Sequence, residues 1–279
     1  MRRPIVGRMT ARDADVPASV LTAFGIAEGA QALPGGQGKS VVAGGLVLKP
    51  DAEVAETAWL AGVCSRVKPH GFRLPAPVPA IDGRLVVDGW SAVPYVQGVP
   101  VDQRDHAASV WLSVLDVSRA LHRAVRQEQR PAFLDNRAHR WARADGFAWE
   151  VGRSAHAPGA ERLVATLRHC LVDEGLDNQL VHGDLSGNVL LDEAQTPAVI
   201  DFSPYWRPAG YADAVVVVDA LLWWRADPAL RELGQPVDLA PDVWTSLLAR
   251  AVIFRLLASA DVDEEQDEYE RVVRLLSGP

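Results

Sequence analysis

One stretch limits what this chain can become more than any other. It runs Val181-His182-Gly183-Asp184-Leu185-Ser186-Gly187-Asn188-Val189-Leu190-Leu191, and Ala198-Val199-Ile200-Asp201-Phe202 follows soon after. The apolar runs 189–191 and 198–200 predict the two strands of a hairpin, with residues 192–197 as its turn. Asp184 and Asn188 stand just before this hairpin and Asp201 leaves its second strand, so the hairpin can bring all three to one edge. Two carboxylates and an amide are oxygen donors, which suit Mg²⁺ when waters and phosphate complete the shell. A further group able to take a hydroxyl proton completes a phosphoryl-transfer site.

The pattern His-Gly-Asp-Leu…Asn…Ile-Asp-Phe over residues 182–202 resembles the signature of the aminoglycoside phosphotransferase and choline kinase group, small-molecule kinases with a protein-kinase-like fold. The resemblance is strongest over 180–213 and holds in outline over 30–225. It implies an α+β, protein-kinase-like two-lobe fold. Residues 1–97 would be a small antiparallel-sheet N-lobe and residues 98–279 a larger, mainly helical C-lobe. It also implies ATP and Mg²⁺ as cofactors and a small-molecule hydroxyl as phosphate acceptor. Asp184 would be the catalytic carboxylate, and Asn188 and Asp201 would bind the metal. His182 would support the loop by packing near Phe202. In the family, the Asp at the place of Asp213 caps the catalytic-loop backbone; Asp219, further along the same helix, competes for that role. The family places its Asn one residue further from the Asp. Here Asn188 follows Asp184 by four, so Gly187 is expected to take an unusual backbone conformation that restores the reach.

The first hundred residues fit the same outline. A glycine-rich turn at 34–39 is followed by two short apolar runs around Gly44-Gly45, which predict consecutive strands joined by a tight turn. Backbone N–H groups in such a turn can approach phosphate oxygens. By resemblance, Gly35, Gly36, Gly38 and Ser40 belong to the loop over the ATP phosphates. A Walker A reading of Gly38-Lys39-Ser40 fails, because position 33 is Leu33 where that motif needs Gly. Lys49 ends the second apolar run, where a kinase carries the lysine for the α- and β-phosphates. Asp51 is expected to cap a helix to about Val63. Glu53 and Glu56 lie in its first two turns; Glu56, in the deeper second turn, is the expected partner of Lys49, with Glu53 as the alternative. Four prolines between 69 and 79 predict an extended connector. Residues 84–96 then read as two strands turning at Asp88-Gly89. By resemblance, 93–97, with Tyr95 and Val96, forms the strip for the adenine edge and Gln97-Gly98 the hinge.

The remainder reads as helices. Apolar positions recur at helical spacing over 103–126, and further helices are expected at 161–171, from 212, at 243–258 and at 264–276. Residues 203–211 read as an irregular loop. Arginines interleave with Phe133, Trp141, Phe147 and Trp149, so 133–156 is either a border of the acceptor site or a solvated helical face with its tryptophans inside. Net charge is −8, which opposes nucleic acid and anionic membrane as partners. The two cysteines, Cys64 and Cys170, lie far apart and predict no metal or redox motif. No apolar run is long enough to span a bilayer and no signal peptide is read, so a cytoplasmic protein is expected. Two other classes compete. One is a nucleotide-binding module of the same fold without transfer. The other is a protein kinase, which Gly183 and the lack of an Ala-Pro-Glu after Asp201 oppose.

Overall fold

The structure is a computed structural model of the 279-residue chain. It describes residues 16–27, 29–33, 39–101, 107–150, 160–173, 175–259 and 262–277. Gly35, Gly36 and Gly38 therefore lie outside the described residues. The backbone clusters into two compact units, one of residues 2–98 with 190–200 and one of residues 99–189 with 201–279.

The first unit is built on hairpins whose turns the sequence announces. Helix α1 (Ala18–Ala23) is followed by strands β1 (Gln31–Ala32), β2 (Val41–Ala43) and β3 (Leu46–Lys49). Helix α2 (Val54–Arg66) and strands β4 (Val86–Val87) and β5 (Trp90–Pro94) complete it. The sheet order is β1-β2-β3-β5-β4, and every pairing is antiparallel. Gly44 and Gly45 have φ of 56° and 74°, and Asp88 and Gly89 have φ of 48° and 78°. Two successive left-handed residues match the twist of the flanking strands, which is why Gly-Gly and Asp-Gly close these hairpins. Val20, Leu48 and Ala92 are fully buried at the centre of this unit's core.

Helix α2 differs from its expectation. Asp51 does not cap it but sits at φ 58° and pairs with Lys39 at 2.6 Å. Glu53 is the N-cap residue, and Glu56 lies in the first turn rather than the second. The proline-rich connector is tied to the segment 190–200. Arg73 N–H donates to the Pro197 carbonyl, and Val199 N–H donates back to Arg73. The Arg73 guanidinium donates to the carbonyls of Thr196 and Gln97 and to Gln195 Oε1.

The second unit follows in chain order as β6 (Val99–Pro100), α3 (Ala108–Ala124), α4 (Arg140–Trp149), α5 (Glu161–Arg168) and β7 (Gln179–His182). Strands β8 (Val189–Leu191) and β9 (Ala198–Val199), which apart from Val189 belong to the first unit, come next in the chain and are hydrogen-bonded neighbours, as the hairpin reading required. Then come β10 (Pro204–Arg207), α6 (Ala209–Trp223), α7 (Leu230–Leu233), α8 (Pro241–Ala258) and α9 (Val262–Ser277). Helices α6 and α8 are buried on nearly every face, pack against each other, and carry the unit's core. Of the interleaved arginines near α4, Arg137 lies over the Phe133 ring at 5.3 Å and Arg140 over the Trp141 ring at 4.7 Å, and arginines from β10 and α8 join the packing. The Trp149 ring is flanked by Arg207 at 5.1 Å and Arg250 at 4.5 Å, and Arg207 makes a two-bond ion pair with Asp145. Among the described residues, no helix is long and apolar enough to cross a membrane.

Strand β10 overturns the loop expected at 203–211. Pro204–Arg207 pairs antiparallel with β7 in the register Pro204↔His182, Tyr205↔Val181, Trp206↔Leu180 and Arg207↔Gln179. Pro204 opens the strand and Pro208 ends it, positions a strand tolerates.

Candidate active site

The β7–β10 ladder builds the site. Gly183 N–H donates to the Ser203 carbonyl at 3.0 Å, so the pairing runs one step past His182 and Pro204. Asp184 leaves one strand and Asp201 enters the other at the same end of this two-stranded sheet. Tyr205 occupies the space beside Gly183: a Cβ there would lie 2.6 Å from Tyr205 Cε2. Glycine at this position is a packing requirement of the ladder.

The loop 184–188 closes as a tight turn, with Asn188 N–H donating to the Leu185 carbonyl at 3.0 Å. Gly187 does not take a left-handed conformation, contrary to expectation, and a Cβ there would meet nothing within 4 Å. The shortened loop needs no special glycine because the turn itself brings Asn188 back. Asn188 Nδ2 donates to the Asp184 carbonyl at 2.7 Å and lies 3.4 Å from Asp184 Oδ2. With its nitrogen so placed, the amide oxygen is the atom left for a cation. Asp201 has φ 50°, a strained backbone for a residue with a Cβ and a frequent mark of functional positions. The Asp184 side chain is 47% exposed, so its carboxylate can meet a ligand.

Behind the loop the groups are buried and fully matched. Asp184 N–H donates to His182 Nδ1 at 3.1 Å, and the His182 ring lies 5.1 Å from the Phe202 ring. His182 N–H in turn donates to His122 Nε2 at 3.0 Å. His122 Nδ1 therefore carries that ring's proton and faces Ser118 Oγ at 3.2 Å, while Ser118 donates to Asp213 Oδ1 at 2.6 Å. Burial, aided by the neighbouring His182, lowers the His122 pKa to about 3, which keeps it neutral in this chain of bonds. Burial raises the Asp213 pKa to about 6 against the opposing pull of Arg119, which donates to Asp213 Oδ2 at 2.8 Å.

Asp213 thus does not cap the loop backbone as expected. Among the described residues, it is linked to β7 through Ser118 and His122. The carboxylate that holds the loop is Asp219, two turns further along α6, which accepts from Ser186 Oγ at 2.7 Å. Asp219 also accepts from Arg255 Nε at 2.7 Å and Nη2 at 2.6 Å, and the same Nη2 donates to Asp184 Oδ1 at 2.8 Å. Sequence reasoning passed over Arg255 inside an apolar helix. The available signal was charge inside two apolar helices, Asp213 and Asp219 in α6 and Arg250 and Arg255 in α8, since buried charges need partners.

In the first unit, Lys49 ends β3 opposite Ser91 of β5. The Ser40 carbonyl accepts from Leu33 N–H at 3.0 Å. Tyr95 is half exposed, but its N–H is committed to the Gly45 carbonyl at 2.9 Å. The Gln97 carbonyl is committed to Arg73. Val96 lies between them. Among the described residues, no three His, Cys, Asp or Glu side chains converge as a metal cage. A cation here would rest on Asn188 and Asp201 with phosphate and water oxygens, the sparse protein share that Mg²⁺ takes.

A two-unit α+β chain with this loop, ladder and hairpin defines a phosphotransferase with a protein-kinase-like fold. The phosphotransferase enzyme family model matches residues 43–235, and the chain belongs to that family. It is a phosphotransferase. Among curated proteins, none matches the sequence. Solved structures match over nearly the whole chain at low identity. One is spectinomycin phosphotransferase APH(9)-Ia in complex with ADP and spectinomycin, with TM-score 0.54 and 14% identity, covering 92% of this chain and 95% of that one. Another is a microcompartment-associated aminopropanol kinase, with TM-score 0.52 and 19% identity, covering 99% and 92%. A third is aminoglycoside phosphotransferase APH(4)-Ia, with TM-score 0.57 and 15% identity, covering 93% and 97%.

Proposed function

We propose that the protein transfers the γ-phosphate of ATP, with Mg²⁺, to a hydroxyl of a small molecule. The observation that carries this reading is the β7–β10 register, which sets Asp184, Asn188 and Asp201 at one end of a sheet with the Asp184 carboxylate exposed. Asp184 orients the acceptor hydroxyl and takes its proton as the new O–P bond forms and the bond from the γ-phosphorus to the β-phosphate oxygen breaks, with ADP leaving; in a loose transition state its main contribution is position. Asn188 and Asp201 would hold Mg²⁺, which when bound would offset the charge of the phosphates. Lys49, with Glu56 as its orienting partner, meets the α- and β-phosphates. The turn ending at Ser40, with Gly35, Gly36 and Gly38, covers them. Of the adenine strip, the Tyr95 N–H and the Gln97 carbonyl are already bonded, so Val96 between them is the residue assigned to the adenine edge. His182 and, through Ser118 and His122, Asp213 support the loop.

The acceptor belongs on the Arg255 side of Asp184. Arg140, Trp141, Trp223, Arg255, Glu265 and Tyr269 line a small pocket there. Among the described residues, Trp223 Nε1 and the Tyr269 hydroxyl are buried without a hydrogen-bond partner. Buried donors of this kind are normally satisfied, and the oxygens of a hydroxylated acceptor or ordered waters would do so. The neighbours bind spectinomycin or hygromycin B together with a nucleotide, which supports a nucleotide-plus-hydroxyl chemistry without naming the acceptor. The test is a screen of hydroxylated metabolites and antibiotics for ATP consumption, repeated with Asp184→Ala. Loss of transfer in a variant that still binds Mg-ATP is expected. Full turnover in that variant removes Asp184 from the mechanism, and Mg-ATP binding with no transfer to any acceptor favours a nucleotide-binding module.

A further inference from the structure

Phosphoryl transfer as described gives no task to Arg255, yet this side chain is the most heavily bonded group beside the loop. We infer that Arg255 is a positioning residue for Asp184: it holds one carboxylate oxygen and leaves the other to the acceptor hydroxyl. The inference rests on the reading of Asp184 given above. A carboxylate 47% exposed would otherwise sample its staggered rotamers. The 2.8 Å bond from Arg255 Nη2 to Oδ1 selects one of them. Among the described residues, Oδ2 meets only the long 3.4 Å contact of Asn188, so it is the oxygen available to a ligand.

Arg255 can act as an anchor because it cannot itself move. Its side chain is 3% exposed, and Nε and Nη2 grip both oxygens of the fully buried Asp219. Its guanidinium carbon lies 5.0 Å from the Phe254 ring centre, 5.3 Å from Trp223 and 5.7 Å from Trp141. Asp219 also holds Ser186, two residues beyond Asp184, so one buried pair fixes the loop at two points. Burial alone would favour loss of the arginine's proton, but Asp219 and Asp184 override it and keep the group a cation. A guanidinium is needed because its planar fork serves two carboxylates at once; an ammonium is a point charge that cannot.

The experiment uses the full-length protein with Arg255→Lys, which keeps a buried cation for Asp219 but cannot span to Asp184. A misplacement near 1 Å costs about 100-fold in rate, so kcat should fall by about that factor while KM for Mg-ATP stays within twofold. A crystal structure of the variant should show Asp184 in more than one rotamer. Arg255→Ala supplied with methylguanidine should recover part of the lost kcat. A folded Arg255→Lys protein with kcat within threefold of the parent overturns the inference. So does a KM for Mg-ATP that rises in step with the loss. The crystallographic arm needs no acceptor: spread rotamers support positioning and an unmoved Asp184 overturns it, even where the parent enzyme consumes no ATP and the functional reading has failed. Should Arg255→Lys not fold, Asp219→Asn loosens Arg255 from behind without touching Asp184, and the same kcat, KM and rotamer readouts decide.

Discussion

Removing the Asp219 carboxylate is the sharpest test of how this site is held. In Asp219→Ala, Arg255 remains 3% exposed and, among the described residues, its remaining ion pair is with Asp184, itself 47% exposed. Breaking a buried ion pair from one side costs about 3–5 kcal/mol, because the surviving charge stays out of water. Ser186 is buried too and loses its acceptor, which adds about 1 kcal/mol. At roughly 2–4 °C per kcal/mol for a protein of this size, the melting temperature should drop by on the order of 10 °C. Differential scanning calorimetry at neutral pH reads this directly. The double variant Asp219→Leu with Arg255→Met is the informative control. Replacing both charges with apolar groups of similar volume should restore most of the lost stability, while turnover stays low. A drop under 3 °C for Asp219→Ala, or a double variant less stable than the single one, would refute the account of a charge stranded by the loss of its partner.

Three further outcomes follow from the same geometry. Gly183→Ala should cost about 1–3 kcal/mol by overpacking and lower kcat, because the new methyl meets Tyr205 in the ladder that carries Asp184; Gly187→Ala, with open space around it, should change stability by less than about 0.5 kcal/mol, and chemical denaturation of the pair checks both. His122, whose folded pKa is about 3 against an ordinary 6.5, lends stability that is present above pH 6.5 and lost as pH falls toward 3, since only the unfolded chain takes up the proton. His122→Gln should therefore flatten the loss of stability between pH 6.5 and about 3, and an unchanged pH–melting curve would remove His122 from this role. Asp213 works in the opposite sense: its folded pKa of about 6 lies above the ordinary 3.8, so its contribution is full below 3.8 and lost as pH rises through about 6, and Asp213→Asn should gain on the parent over that interval in the same measurement.

Much of the fold was legible because it is local. Gly44-Gly45 and Asp88-Gly89 permit the left-handed turn residues that their hairpins need, and the strands on either side are set by a few neighbouring residues. The stretch 181–202 announced its oxygen donors and its hairpin in the same way, and His182 packs against Phe202 as its place in the motif implied. Helix α2 shows where local signals mislead. Asp51 is a good cap by type, but its carboxylate is taken by Lys39 and the helix starts later.

What the chain alone could not decide was which distant groups meet. Strand β10 is bounded by prolines and reads as a loop, and only the ladder offered by β7 makes it a strand. Asp213 and Asp219 lie on a helix buried on nearly every face, so periodicity cannot say which one turns toward the loop; the packing of α3 takes Asp213 and leaves Asp219 for Ser186. Arg255 meets its carboxylates across 36 and 71 residues of sequence. Turn chemistry and strand patterning act between neighbours and are written in the sequence, whereas the matching of buried charges depends on how three helices pack, and only the tertiary structure settles that.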